Sequence, residues 1–294
     1  MSMKQSLIDF YRACDHSATE SLELFLHTTD AEALHNLRLS IKKLRVFLGF
    51  LSPWNDKLLH SSLTFHENAE IVFKSSGRSR DLFLQQQYLG KVELILGKPF
   101  PEYHAFINDH SLRKQNALIQ ALADHDIISC LPGEPMVRKA VQYMSVRGLE
   151  RTFHFETEVL YGDFIHHCSL WEADEDPEHL HKARRHIKAL MYLLNMTGRS
   201  KVRIQGRFRT LITLKRTEQA IGNWHDRLEA LHSLMMFLKI EPPRRKRMRD
   251  YEDLEQKMAE LAKEALESAL NAARVALSSD KPTTGTKRLL IRKS

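Results

Sequence analysis

The chain has 294 residues, 43% of them hydrophobic and 28% charged, and its 44 Lys plus Arg exceed its 37 Asp plus Glu to give a net charge of +7 and a pI near 9.2. This balance suits a globular protein of one large or two smaller domains and excludes a wholly disordered or collagen-like chain. No apolar run approaches the roughly 18–20 residues that cross a bilayer, the N-terminus has no apolar signal core, and the three cysteines, Cys14, Cys130 and Cys168, lie far apart without a CxxC. Three scattered thiols argue against a disulfide scaffold, so a reducing, cytoplasmic setting is expected and no membrane association.

Prolines cut the chain into stretches whose apolar residues recur at helical spacing. Leu37, Ile41, Leu44 and Leu48 form one such stripe, and Leu254, Met258, Leu261, Ala265 and Leu266 another. The spacing predicts helices over 3–27, 31–52, 56–75, 78–96 and 102–126, then over 135–168, 177–197, 200–221, 223–240 and 244–278. No period-2 run bounded by hairpin turns stands out, so the expected fold class is all-α. Residues 126–135 (DIISCLPGEP) read as a linker, 171–177 (WEADEDP) as an acidic loop, and 279–294 as a basic flexible tail.

An internal repeat organises the sequence. His35, Arg38, Ile41, Lys42 and Leu44 recur at the same spacing as His181, Arg184, Ile187, Lys188 and Leu190, 146 positions later. A second element follows in each half, Gly77-Arg-Ser-Arg80-Asp81 and Gly222-Asn-Trp-His225-Asp226. Two spaced elements in the same order imply a duplicated unit of about five helices. The expected architecture is two pseudo-symmetric helical bundles, 1–131 and 132–278. Gly77 and Gly222 each sit where one helix is expected to stop, which places Asp81 and Asp226 in the first turn of the next.

At 100° per residue, His35, Arg38, Lys42, Lys43 and Arg45 fall opposite the apolar stripe of their helix. His181, Arg184, Arg185, Lys188 and Tyr192 likewise fall opposite Ala183, Ile187, Leu190 and Leu194. A single basic helix face is most often just solvated. Here no Asp or Glu lies between Leu34 and Leu51, nor between His179 and Arg216. Two long acid-free basic stretches in matching places point to an anion site, because solvated helices usually carry i, i+4 acidic partners. Arg199, Lys201, Arg203, Arg207, Arg209, Lys215 and the run Arg244–Arg249 extend the basic surface along what are expected to be helices. Arg80, Asp81, His225 and Asp226 are the supporting candidates, the carboxylates acting either as helix caps or as partners that orient a basic residue of their own repeat.

These residues resemble the conserved-histidine α-helical domain, the CHAD family. His35 to Arg45 matches its first signature, H-x-x-R-[VIL]-x-[IL]-[KR]-[KR]-L-R, and Gly77–Asp81 and Gly222–Asp226 match its later element. In the second copy Ala189 and Met191 replace the cations found at Lys43 and Arg45. The resemblance implies a helical fold, non-catalytic binding of inorganic polyphosphate and targeting to polyphosphate granules, where granule-associated proteins become partners. It places the binding positions at His35, Arg38, Lys42, Lys43, Arg45, His181, Arg184 and Lys188, to which the helix faces add Arg185, Arg207 and Lys215. The alternating ExExK strand of a triphosphate-tunnel enzyme is absent, and no enzyme, cofactor or metal is expected. His225-Asp226 forms an HD pair, but its counterpart Arg80-Asp81 cannot bind metal. The alternative is a helical protein that binds RNA or DNA backbones, disfavoured because the aromatic residues, Tyr192 excepted, fall at core positions instead of among the basic ones.

Overall fold

A computed structural model describes residues 2–278, with the backbone alone at 77–81. The basic tail expected from Ser279 onward, and the side chains of Arg80 and Asp81, lie outside the described residues. Among the described residues the fold is all-α apart from one small hairpin. Its helices are α1 (Met3–Thr28), α2 (Ala31–Leu51), α3 (Asp56–Leu96), α4 (Pro101–Asp124), α5 (Glu134–Tyr143), α6 (Val146–Asp174), α7 (Pro177–Met196), α8 (Leu211–Ile240) and α9 (Met248–Ser278). Most starts are sequence-encoded caps. Asp30 accepts from the Ala33 amide at 2.7 Å, Asp176 from Glu178 at 2.9 Å and Thr210 from Thr213 at 3.2 Å, each satisfying an amide that lacks an intrahelical partner.

Four expectations about elements are corrected. The helices expected over 56–75 and 78–96 are one helix, α3, so Gly77 does not end a helix. Gly222 likewise lies buried inside α8, which puts Asp226 mid-helix instead of in a first turn. The stretch 135–168 breaks at Met144-Ser145, because the Ser145 hydroxyl accepts from the Gly148 amide at 3.0 Å and starts α6 afresh; α6 then runs on through Trp171 and shortens the acidic loop. Finally, 200–210 is no helix. Strands β1 (Lys201–Ile204) and β2 (Arg207–Thr210) pair antiparallel across Gln205-Gly206, both at positive φ (49° and 77°). Positive φ at both central residues is the mark of the tight hairpin turn that matches strand twist.

The greasy faces read from the sequence meet in one core. Leu37, Ile41, Leu44 and Leu48 of α2 and Ala183, Ile187, Leu190 and Leu194 of α7 are all fully buried in the same cluster, with residues of α1, α3, α5 and α6. A second cluster joins Leu89 and Val92 of α3 and Tyr103 and Phe106 of α4 to Leu234 and Phe237 of α8 and Tyr251 of α9. Both clusters draw on residues from either side of 131/132. α3 packs on α2 and α8 on α7, while α2 and α7 touch each other. With their apolar faces inward, α2 and α7 turn their basic faces along a common seam.

Candidate anion-binding groove

That seam is a groove of about 470 Å³, walled by Arg38, Lys42, Arg45 and Val46 of α2 and by His181, Arg184, Arg185, Lys188, Ala189 and Tyr192 of α7, with Glu70 and Phe73 of α3. The α2 cations gather around one ring. The Arg38 and Arg45 guanidinium carbons and the Lys42 ammonium stand 5.1, 5.5 and 5.6 Å from the Phe73 ring centre. An aromatic face attracts cations without neutralising them, so the ring gathers three positive charges at one place on the groove wall. Arg38 is nearly buried and also donates to the Ser76 hydroxyl and, at 3.4 Å, to the Phe73 carbonyl. Arg45 reaches exposed Glu70 at 3.5 Å.

The α7 cations are held differently. Arg184 Nε donates to Glu218 Oε1 at 3.0 Å, and Lys188 Nζ lies 2.9 Å from the same oxygen. Burial by itself raises the Glu218 carboxyl, but Arg184 and Lys188 outweigh it and hold its pKa below the ordinary value. Gly222 explains itself here. A Cβ at that position would lie 2.5 Å from Arg184 Nη2, so the missing side chain is the space in which the guanidinium lies. The His181 ring sits 4.6 Å from that of His225. Burial, reinforced by the fields of His225, Arg185, Arg184 and Lys42, pushes the His181 pKa down to about 4.

The structure brings Arg38, Lys42, Arg45, His181, Arg184, Arg185, Lys188 and Tyr192 together, with His225 behind His181. Other candidates lie elsewhere. His35 is half-buried on α2 and not among the groove-lining residues. Lys43 is not among the groove-lining residues either, and its charge acts on Cys14 of α1. Arg207 and Arg209, on the hairpin and not on a helix, approach the Leu277 carbonyl at 3.4 Å, and the Arg209 guanidinium packs 4.8 Å from the Tyr161 ring. Arg199 is tied to Glu150 at 2.6 Å, and Lys215 is exposed on α8 outside the groove. Asp226 lines a separate cleft with Tyr88, Lys91 and Arg227, whereas Glu218 engages Arg184 and Lys188 of this half's basic motif. Acidic partners are also nearer than the spacing suggested, since Glu178 lies 4.0 Å from Lys182 and 3.9 Å from Arg185.

Reading the sequence missed Phe73, Glu218 and the role of Gly222. Glu218 stands two residues beyond the acid-free stretch and one turn before Gly222, and that spacing was the available signal. Among the described residues, no group of three or more His, Cys, Asp or Glu side chains is arranged to hold a metal ion, and no helix is long and apolar enough to cross a membrane.

No protein-family model and no curated protein matches this sequence. Solved structures do. The CHAD domain from the plant Ricinus communis aligns with a TM-score of 0.65 at 16% identity, over 96% of this chain and 93% of that one. PptA from Streptomyces chartreusis aligns with a TM-score of 0.67 at 12% identity, over 93% and 100%. Identities this low speak for architecture alone, and on that ground the chain has the CHAD-type fold.

Proposed function

We propose that this protein binds inorganic polyphosphate without turning it over, in the groove between α2 and α7, and that this binding brings it to polyphosphate granules and the proteins associated with them. One observation carries the reading: six cations, Arg38, Lys42, Arg45, Arg184, Arg185 and Lys188, converge from two helices on one groove. Polyphosphate is a flexible chain with roughly one negative charge per unit and no bases. Repeated Arg and Lys at helical spacing suit it, Arg through forked contacts and Lys as a point charge. The two groove aromatics offer little to a nucleobase, since Tyr192 is only 6% exposed and the Phe73 ring is ringed by cations. Division of the chain into repeats 1–131 and 132–278 belongs to the same reading, with α2–α3 and α7–α8 as matching pairs.

A titration with long-chain polyphosphate, single-stranded RNA and duplex DNA at two salt concentrations tests it. Polyphosphate is expected to bind most tightly per phosphate, and affinity to fall with salt by a log–log slope of roughly 0.7–0.9 per charge neutralised, on the nucleic-acid scale. Arg38→Glu with Lys42→Glu is expected to abolish most of the binding. Tighter binding of RNA at both salts, or full affinity in the folded double variant, overturns the assignment.

A further inference from the structure

We propose that Glu218 is a built-in counter-ion that sets how tightly the groove holds a polyanion. The inference rests on the reading that the groove binds one. Glu218 lies on α8 beneath the α7 wall, its side chain only 10% exposed, and one of its oxygens engages both Arg184 and Lys188. Both cations line the groove and are themselves partly exposed, at 22% and 26%. Arg184 is further confined against Gly222, one turn along the same helix. α8 therefore does two things to the α7 wall: it fixes the cations in place, and it cancels one of their two charges.

A salt bridge serving stability alone is the plainer account. Yet buried ion pairs are weak contributors to stability once desolvation is counted, and this carboxylate engages groove cations on both its bonds. The consequence for a ligand is direct. A phosphate that approaches Arg184 and Lys188 must share them with a carboxylate that repels it. The trio of side chains offers a net charge of one unit, so one fewer phosphate charge is neutralised and one fewer counter-ion released. Fixing the donors aids binding, and cancelling a charge opposes it. For a flexible polymer held by many contacts the charge dominates, because the chain adapts its geometry but not its charge. A glutamine at this position keeps an oxygen to accept from Arg184 and removes only the charge.

Titration of Glu218→Gln with long-chain polyphosphate at several salt concentrations decides the matter. The variant is expected to bind severalfold more tightly at low salt, with a log–log salt slope larger by roughly 0.7–0.9. A merely structural role does not raise that slope. Unchanged or weaker binding in a variant that melts as the wild type does overturns the proposal. Should the single variant fold poorly, Lys188→Gln with Glu218→Gln restores the net charge, and the proposal requires it to recover the wild-type slope while Lys188→Gln alone gives a smaller one. If the wild type binds RNA and not polyphosphate, the functional reading falls and the Glu218 comparison is made on RNA by the same criterion. If it binds neither, both fall.

Discussion

His181 illustrates how a residue's setting fixes the pH range in which it acts. Basic neighbours disfavour its protonation, as its place in the motif implies, but burial is the larger cause, and together they bring its pKa to about 4. The ring is therefore neutral between pH 6 and 8. Because the folded pKa lies below the ordinary value of about 6.5, the unfolded chain takes up the proton first. The contribution of His181 to stability is full above about 6.5 and is lost as pH falls towards 4. Glu218, with its lowered carboxyl pKa, adds a loss at still lower pH as its folded form protonates. The melting temperature is expected to fall between pH 6.5 and 4, and His181→Gln to flatten that fall; an identical profile in the variant would assign the slope to other groups. Proton uptake on polyanion binding, measured by calorimetry in two buffers, is correspondingly expected below pH 6 and not between 8 and 6.

At the scale of the element, the place of the Arg184 guanidinium between α7 and α8 depends on Gly222. In Gly222→Ala the Cβ would meet Arg184 at 2.5 Å, but it meets the far end of a flexible side chain that can swing away. Alanine also favours the helix by about 1 kcal/mol. The expected result is a melting temperature unchanged or slightly raised, with polyphosphate affinity changed far less than in Arg184→Gln, because the guanidinium shifts but keeps its charge; a loss as large as that of Arg184→Gln would show that the place of the guanidinium counts as much as its charge. The elements most easily read from the sequence were those with strong periodicity and polar caps, such as α2 behind Asp30 and α7 behind Asp176. The hairpin was hidden because each strand is only four residues long, too short for alternation to stand out from a basic helix. The breaks expected at Gly77 and Gly222 failed for a different reason. Glycine permits a helix end without requiring one, and at Gly222 it serves packing. All six groove cations could be found from helix faces, whereas Phe73 and Glu218 reach the groove or its cations from neighbouring helices, and only tertiary packing brings them there.

At the scale of the whole molecule, the sequence repeat and the core divide the chain differently. Tyr103 and Phe106 of α4 are covered by Phe237 of α8, with ring centres 5.2 and 5.3 Å apart, and the inner faces of α2 and α7 share one cluster. Removing the second half would expose both apolar surfaces at once, at roughly 25 cal/mol for each Å² uncovered. The isolated 1–131 segment is therefore expected not to fold, and the full chain to melt in a single cooperative transition. Circular dichroism during heating checks both. A native-like cooperative melt of 1–131 alone would show that each repeat carries a core sufficient to itself.

α3, with its 41 residues, contributes Leu58, Phe65 and Val72 to the core behind the groove and Leu89 and Val92 to the cluster shared with α4, α8 and α9. At 1.5 Å per residue it covers about 60 Å. One residue inserted between Val72 and Leu89 would rotate everything beyond it by about 100° and carry Leu89 and Val92 away from Phe237 and Tyr251. No small insertion restores both rotation and position. The two clusters thus constrain the number of residues between Val72 and Leu89 as well as the identity of those that face them. An added residue is absorbed more readily where the chain is exposed and packs on neither cluster, as at the Gln205-Gly206 hairpin tip.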